Sequence, residues 1–141
     1  MGLPRGLMGV TPMTAELMYL VYSAALTFVL VLIAVSGATL QVGLPKLAGN
    51  REAMPELTGW AGRAARAHLN MLESLVLFAV LILVAHIAGV RNPMTLLGAQ
   101  LFFWGRVGHA IFYIAGIPWL RTAAWGVSIV GLLLIFLQLI G

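Results

Sequence analysis

Residues 62–74 read GRAARAHLNMLES, and the reading of this stretch decides the fold. It opens an apolar run that continues to about Val90. At 1.5 Å per residue, such a run can cross the ~30 Å hydrocarbon core of a bilayer. Yet its first turns carry Arg63, Arg66, His68, Asn70 and Glu73.

Composition settles the medium. The chain has 141 residues, 62% hydrophobic and only 9% charged. Its mean hydropathy is +1.04. A soluble domain carries about 25% charged residues, so this chain cannot cover a water-facing surface and reads as a polytopic membrane protein. The net charge of +4 is what a few arginines at helix ends produce, and does not point to nucleic acid. With no cysteine, disulfides, cysteine metal sites and a cysteine nucleophile are excluded.

Four apolar segments follow one another, at about 17–40, 63–90, 94–117 and 122–140, with a loose N-terminal extension over 1–13. Backbone groups in lipid must be satisfied within the segment, so each is expected to be a helix. The breaks carry turn residues: GLPKLAGNREAMPELTG, GVRNP and GIPWLR. Two of the three connections are short, which implies antiparallel neighbours. The expectation is an all-α integral membrane protein, one domain over 1–141, built as a four-transmembrane-helix up-down bundle. Lys46, Arg51, Arg63, Arg66 and Arg121 fall on one side, Arg5 and Arg91 on the other. The positive-inside rule then puts the 41–62 loop in the cytoplasm and both termini outside. Trp60, Trp119 and Trp125 gather near that cytoplasmic interface.

At 100° per residue, Arg63, Arg66, Asn70 and Glu73 share one face about 80° wide. His68 lies about 140° from Arg63, on another side. Arg106, His109 and Tyr113 share a face of the third segment. Counting inward from the cytoplasmic ends, Glu73 lies roughly 15 Å deep and Arg106 roughly 16 Å. Antiparallel packing is therefore expected to set Glu73 beside Arg106, Asn70 level with His109 and Arg66 level with Tyr113. Interhelical glue is one reading of such groups. A site for a polar, anionic ligand is the other, because ionisable residues within a membrane mark function and arginines bind carboxylates bidentately. His68 and His109 lack a third ligand at metal-binding spacing, so no metal site is expected. His86 reads as a helix-end residue. Gly37, Gly105, Gly108 and Gly116 read as packing positions.

With these residues in view, the chain resembles the MAPEG family, the membrane-associated proteins in eicosanoid and glutathione metabolism. RAARAHLNMLES is similar to the family's second-helix signature, Arg-Ala-His/Gln-x-Asn-x-x-Glu. RVGHAIFY, Arg106 to Tyr113, resembles the third-helix pattern Arg-x-x-His-x-x-x-Tyr of the branch holding microsomal glutathione transferase 1 and prostaglandin E synthase. PWLRTAAW resembles the segment that follows, with Arg121 at its arginine. The likeness to a bacterial-type member implies a homotrimer in the bacterial inner membrane, with glutathione as co-substrate between subunits near the cytoplasmic side. It implies that Arg66, His68, Asn70, Glu73, Arg106, His109 and Tyr113 form the glutathione site, with Tyr113 and Arg121 as the catalytic pair beside the sulfur. A thiolate held there would attack a small hydrophobic electrophile or lipid hydroperoxide arriving through the bilayer.

Two positions depart from the pattern. Several members carry an arginine at the end of the first helix, where this chain has Gly43, and Lys46 and Arg51 are the nearest loop cations. The spacing from Tyr113 to Arg121 is one residue shorter than in the animal enzymes. The family also contains a non-enzyme that binds lipid and assists a lipoxygenase, so a non-catalytic lipid- or partner-binding role stays open. A small four-helix exporter using Glu73 as proton carrier is a further alternative. Such exporters are expected to carry their glutamate in the first helix, and the first apolar segment here has no acid inside it.

Overall fold

The computed structural model describes residues 12–141 and is helical throughout its ordered elements. These are α1 (Ala15–Val42), α2 (Leu44–Ala48), α3 (Gly59–Ala88), α4 (Pro93–Ala115) and α5 (Pro118–Ile140). The extension expected over 1–13 falls almost entirely outside the described residues.

Local chemistry sets the helix ends. The Thr14 hydroxyl caps α1, accepting from the Leu17 amide at 3.2 Å. Asn92 and Thr95 form a reciprocal capping box at the start of α4, with Pro93 in the first turn. α3 and α4 each end in a glycine with positive φ, Gly89 at 70° and Gly116 at 82°. There Val90 N–H donates to Ala85 O (2.9 Å) and Ile117 N–H to Phe112 O (2.9 Å), the wrap-around pattern that a left-handed residue permits.

The helix ends differ from the sequence reading by up to about one turn, and three differences matter for the site. Pro118 begins α5 instead of breaking the chain, since its fixed φ suits a first helical turn. Arg121 is therefore inside α5, not in a connection. α3 begins at Gly59, about one turn before Arg63. The α1–α3 connection contains the short α2, started by Pro45 in its first turn.

Polar contacts fix the helix directions. Glu16 of α1 meets Thr95 of α4 near both N-termini. Asn92 at the start of α4 meets Gln138 near the end of α5, and Arg63 near the start of α3 meets Ile114 near the end of α4. The long helices therefore alternate in direction. α4 touches α1, α3 and α5, whereas α3 and α5 meet only sparingly.

α1, α3 and α5 are long and apolar enough to cross a membrane. α4 has 23 residues but is more polar, and its burial explains how it can be. Arg106 and His109 are 1% and 3% exposed, shielded by the surrounding helices. The core joins Leu30 of α1, Met71, Phe78 and Ile82 of α3, Ala99 and Phe102 of α4, and Leu132 and Ile135 of α5. The rings of Phe78 and Phe102 stack at 4.0 Å between centroids.

Small residues let the backbones approach. A Cβ on Gly131 of α5 would sit 2.5 Å from the Gly98 carbonyl of α4, and one on Gly105 would sit 2.8 Å from the Ser128 amide. Gly37 likewise admits Ala61, at 2.8 Å. The other two expected packing glycines behave differently. Gly108 has ordinary clearance, and Gly116 serves as the end of α4.

Candidate functional site

The site begins with Arg106. Its side chain is buried and makes one hydrogen bond, from Nη2 to the Asn70 Oδ1 at 2.5 Å. Nε and Nη1 are buried without a hydrogen-bond partner among the described residues. The expected pair of Arg106 with Glu73 is not formed, and the ion pair found among the described residues is Arg91–Glu16. The reason is register. Because α3 starts a turn earlier, Arg106 levels with Asn70, and Glu73 lies one turn deeper and exposed.

One turn along α4 from Arg106, His109 meets the Tyr113 ring edge to face, with centroids 5.4 Å apart. The early start of α5 brings Arg121 to the same place. Its guanidinium carbon lies 4.5 Å from the centroid of the Tyr113 ring. Asn70, His109, Tyr113, Arg121, Thr122 and Trp125 line a pocket of about 230 Å³. Trp125 and Thr122 were not expected as site residues. Once α5 begins at Pro118, Arg121 and Trp125 stand four apart and share a face.

The pocket continues outward between α3 and α5. A second hollow of about 170 Å³ shares Asn70 and Trp125 and adds Glu73, Ser74 and Leu77. A third, of about 450 Å³, shares Leu77, Ile129 and Leu132 and ends at Phe136 with almost wholly apolar walls. The three form one groove, cationic and polar at the Arg121 end and greasy at the other. Glu73 stands at the transition.

The remaining expected site residues lie elsewhere. Arg66 is exposed and lines none of these hollows. His68 faces another side, lining a hollow of about 330 Å³ beneath the α1–α3 connection together with Thr39, Leu47 and Arg51. Arg51 is held there by its Nε, which donates to Leu47 O at 2.6 Å. This loop cation therefore joins His68, not Tyr113. Arg63 has an end-capping role, donating from Nε to Ile114 O at 2.9 Å near the end of α4. Gly43 has φ 93° and ψ 146°, backbone that side-chain-bearing residues rarely adopt. No cluster of three or more metal-binding side chains occurs among the described residues.

Comparison with known sequences agrees with this architecture. No curated protein and no solved structure gives a significant match. A family model does, and it spans residues 17–141, taking in nearly all of α1, the other three long helices and the whole groove. The chain belongs to the MAPEG family, a group of membrane proteins that includes glutathione transferases.

Proposed function

We propose that this protein is a membrane-embedded thiol transferase or peroxidase, with glutathione as the thiol and lipophilic electrophiles or lipid hydroperoxides as acceptors. The observation that carries the reading is the placement of Arg121 over Tyr113 at the polar mouth of a groove that runs into apolar walls. A free thiol has a pKa near ~8.5, and an adjacent cation and hydroxyl donor favour its thiolate. The apolar arm of the groove admits a reactant from the lipid.

In the transfer reaction the thiolate sulfur bonds to the electrophilic carbon, and the displaced electron pair leaves with the leaving group or is protonated. In the peroxidase reaction sulfur attacks the distal oxygen and the O–O bond breaks. The proximal oxygen leaves as the alcohol after protonation. The resulting sulfenic acid condenses with a second thiol, giving a disulfide and water. Neither reaction needs a protein nucleophile, which suits a chain without cysteine.

On this reading α4 is the fourth span, the 41–62 loop faces the cytoplasm and the working unit is a homotrimer. Two features support a second copy. Glu73 is an exposed carboxylate well inside the span of α3, a costly position in lipid unless something covers it. Asn70 and His68 belong to the same expected ligand set yet lie about 160° apart around α3. A neighbouring subunit lets the His68 side of one chain meet the Tyr113 side of another, with Arg66, Asn70 and Glu73 holding the peptide.

The test is conjugation of glutathione to a chromogenic electrophile by the purified protein. A rate above the uncatalysed background, strongly reduced in Arg121→Ala, is expected. A wild-type rate equal to background would sink the enzyme reading. Gly43 favours the second reading, a non-catalytic lipid- or partner-binding protein, which predicts no thermal stabilisation by glutathione. The first predicts about 2.7 kcal/mol at a hundredfold excess over Kd.

A further inference from the structure

At the opposite end of the bundle, where α1 and α4 begin and α3 ends, lies a cavity of about 250 Å³. Thr14, Glu16, His86, Arg91 and Thr95 supply its polar wall, and Ile82, Ala85 and Val90 its apolar one. It shares no residue with the thiol groove.

Glu16 is 7% exposed. One of its oxygens has a structural task, since Oε1 accepts from the Thr95 hydroxyl at 3.1 Å and ties α1 to α4. The other does not. Among the described residues, Oε2 is buried with no hydrogen-bond partner, as is Nε2 of His86 on the same cavity. Arg91 Nε stands 3.3 Å from Oε2, but the Arg91 side chain is 63% exposed and so occupies the rim, not the interior.

A buried acceptor left without a donor is costly, because it has lost its water and gained nothing in return. The carboxylate oxygen can only accept, and Nε2 of His86 accepts in the tautomer that carries its proton on Nδ1. The interior therefore calls for a donor with several N–H groups and positive charge, while the rim offers a guanidinium to an anion. The cavity far exceeds the ~30 Å³ of a single water. It also sits at the ends of the apolar helices α1 and α3, where a bilayer crossed by them would place its headgroups.

We infer that this cavity binds the zwitterionic headgroup of an ethanolamine phospholipid, its primary ammonium on Glu16 and His86 and its phosphate on Arg91. A choline headgroup carries the same charges but no N–H, so it satisfies neither buried acceptor.

The test uses the full-length protein in mixed detergent–lipid micelles, with native mass spectrometry of bound lipid. Phosphatidylethanolamine and phosphatidylcholine of identical chains are the probes. Wild-type protein is expected to prefer the ethanolamine lipid about tenfold, the ~1.4 kcal/mol scale of one charge-assisted hydrogen bond. Glu16→Gln brings the ratio close to unity. Arg91→Ala, at an exposed position, weakens both lipids and keeps the ratio. Should Glu16→Gln fail to fold, His86→Ala reports the same loss of preference. Equal binding of the two lipids by wild type overturns the proposal, as does a preference that survives the substitution tested in the interior. Competition by free phosphoethanolamine as effective as that by the lipid overturns it too, by pointing to a soluble ligand.

Discussion

The guanidinium of Arg121 lies over the ring of Tyr113, 4.5 Å from its centroid, and joins the start of α5 to the end of α4. The contact exists because Pro118 starts a helix after a two-residue turn through Gly116 and Ile117, so Arg121 projects back over α4. It holds a cation beside a phenol at the mouth of the polar pocket.

Removing the cation is expected to cost activity in proportion to thiolate stabilisation. Arg121→Ala should lower kcat/KM for glutathione conjugation by about 10- to 100-fold, the equivalent of one to two pKa units at the sulfur. Arg121→Lys keeps the charge but loses the planar stack, and should fall between the two. Steady-state rates and the pH dependence of kcat/KM measure both. An alanine variant as active as wild type would remove Arg121 from the mechanism.

Asn70 and Glu73 stand three residues apart, yet should respond oppositely to removal. Asn70→Ala deprives a buried guanidinium of its one hydrogen bond, and should destabilise the fold by about 2–3 kcal/mol. Glu73→Gln removes a charge with no hydrogen bond or ion pair to the rest of the described chain. It should leave subunit stability within about 0.5 kcal/mol. Its effect is expected on glutathione affinity and on assembly. Thermal melts in detergent and cross-linking of subunits separate the two responses.

Restoring an arginine at residue 43 should not restore a family-like contact. Gly43 joins α1 to α2 at φ 93°, and a side chain there is strained by about 1–3 kcal/mol. Gly43→Arg is therefore expected to lower the melting temperature with no gain in glutathione affinity. A tighter-binding, equally stable variant would show that the turn is free to reshape.

The α4–α5 seam should be intolerant of a single methyl group. Gly131→Ala drives Cβ against the Gly98 carbonyl and should cost about 1–3 kcal/mol. Gly126→Ala, on the same helix with nothing nearby, should be neutral or gain up to about 1 kcal/mol from helix propensity. Chemical or thermal unfolding of the two variants side by side is the check.

Much of the architecture was legible before any coordinates. Long apolar runs between turn residues mark the four helices, and the shared face of Asn70 with Arg63, Arg66 and Glu73 follows from the period of a helix. The separation of His68 from that face follows too, and the structure places His68 in another hollow. The partner of Arg106 was not legible. The apolar pattern places the two helix ends at Arg63 and Ile117, whereas they lie at Gly59 and Ala115. An error of one turn moves a side chain about 5.4 Å along the axis, enough to exchange Glu73 for Asn70. Trp125 was missed for the same reason, since its common face with Arg121 appears only when α5 is started at Pro118, and Thr122 joins the pocket beside Arg121. Glu16 carried no signal as a site residue. Its burial comes from α1 meeting α4, and no spacing within the chain announces that contact.

By itself the sequence determined the medium, the helices and the faces on which polar groups gather, because these follow from composition and from a period of 3.6 residues. Tertiary structure decided which of those groups meet. It set Asn70 against Arg106, stacked Arg121 on Tyr113, left Glu73 exposed and enclosed Glu16 with His86. Such pairings depend on where each helix starts and how far it slides along its neighbour. Those distances are set by caps, by proline in the first turn and by glycine contacts between backbones, which act on the order of one helical turn.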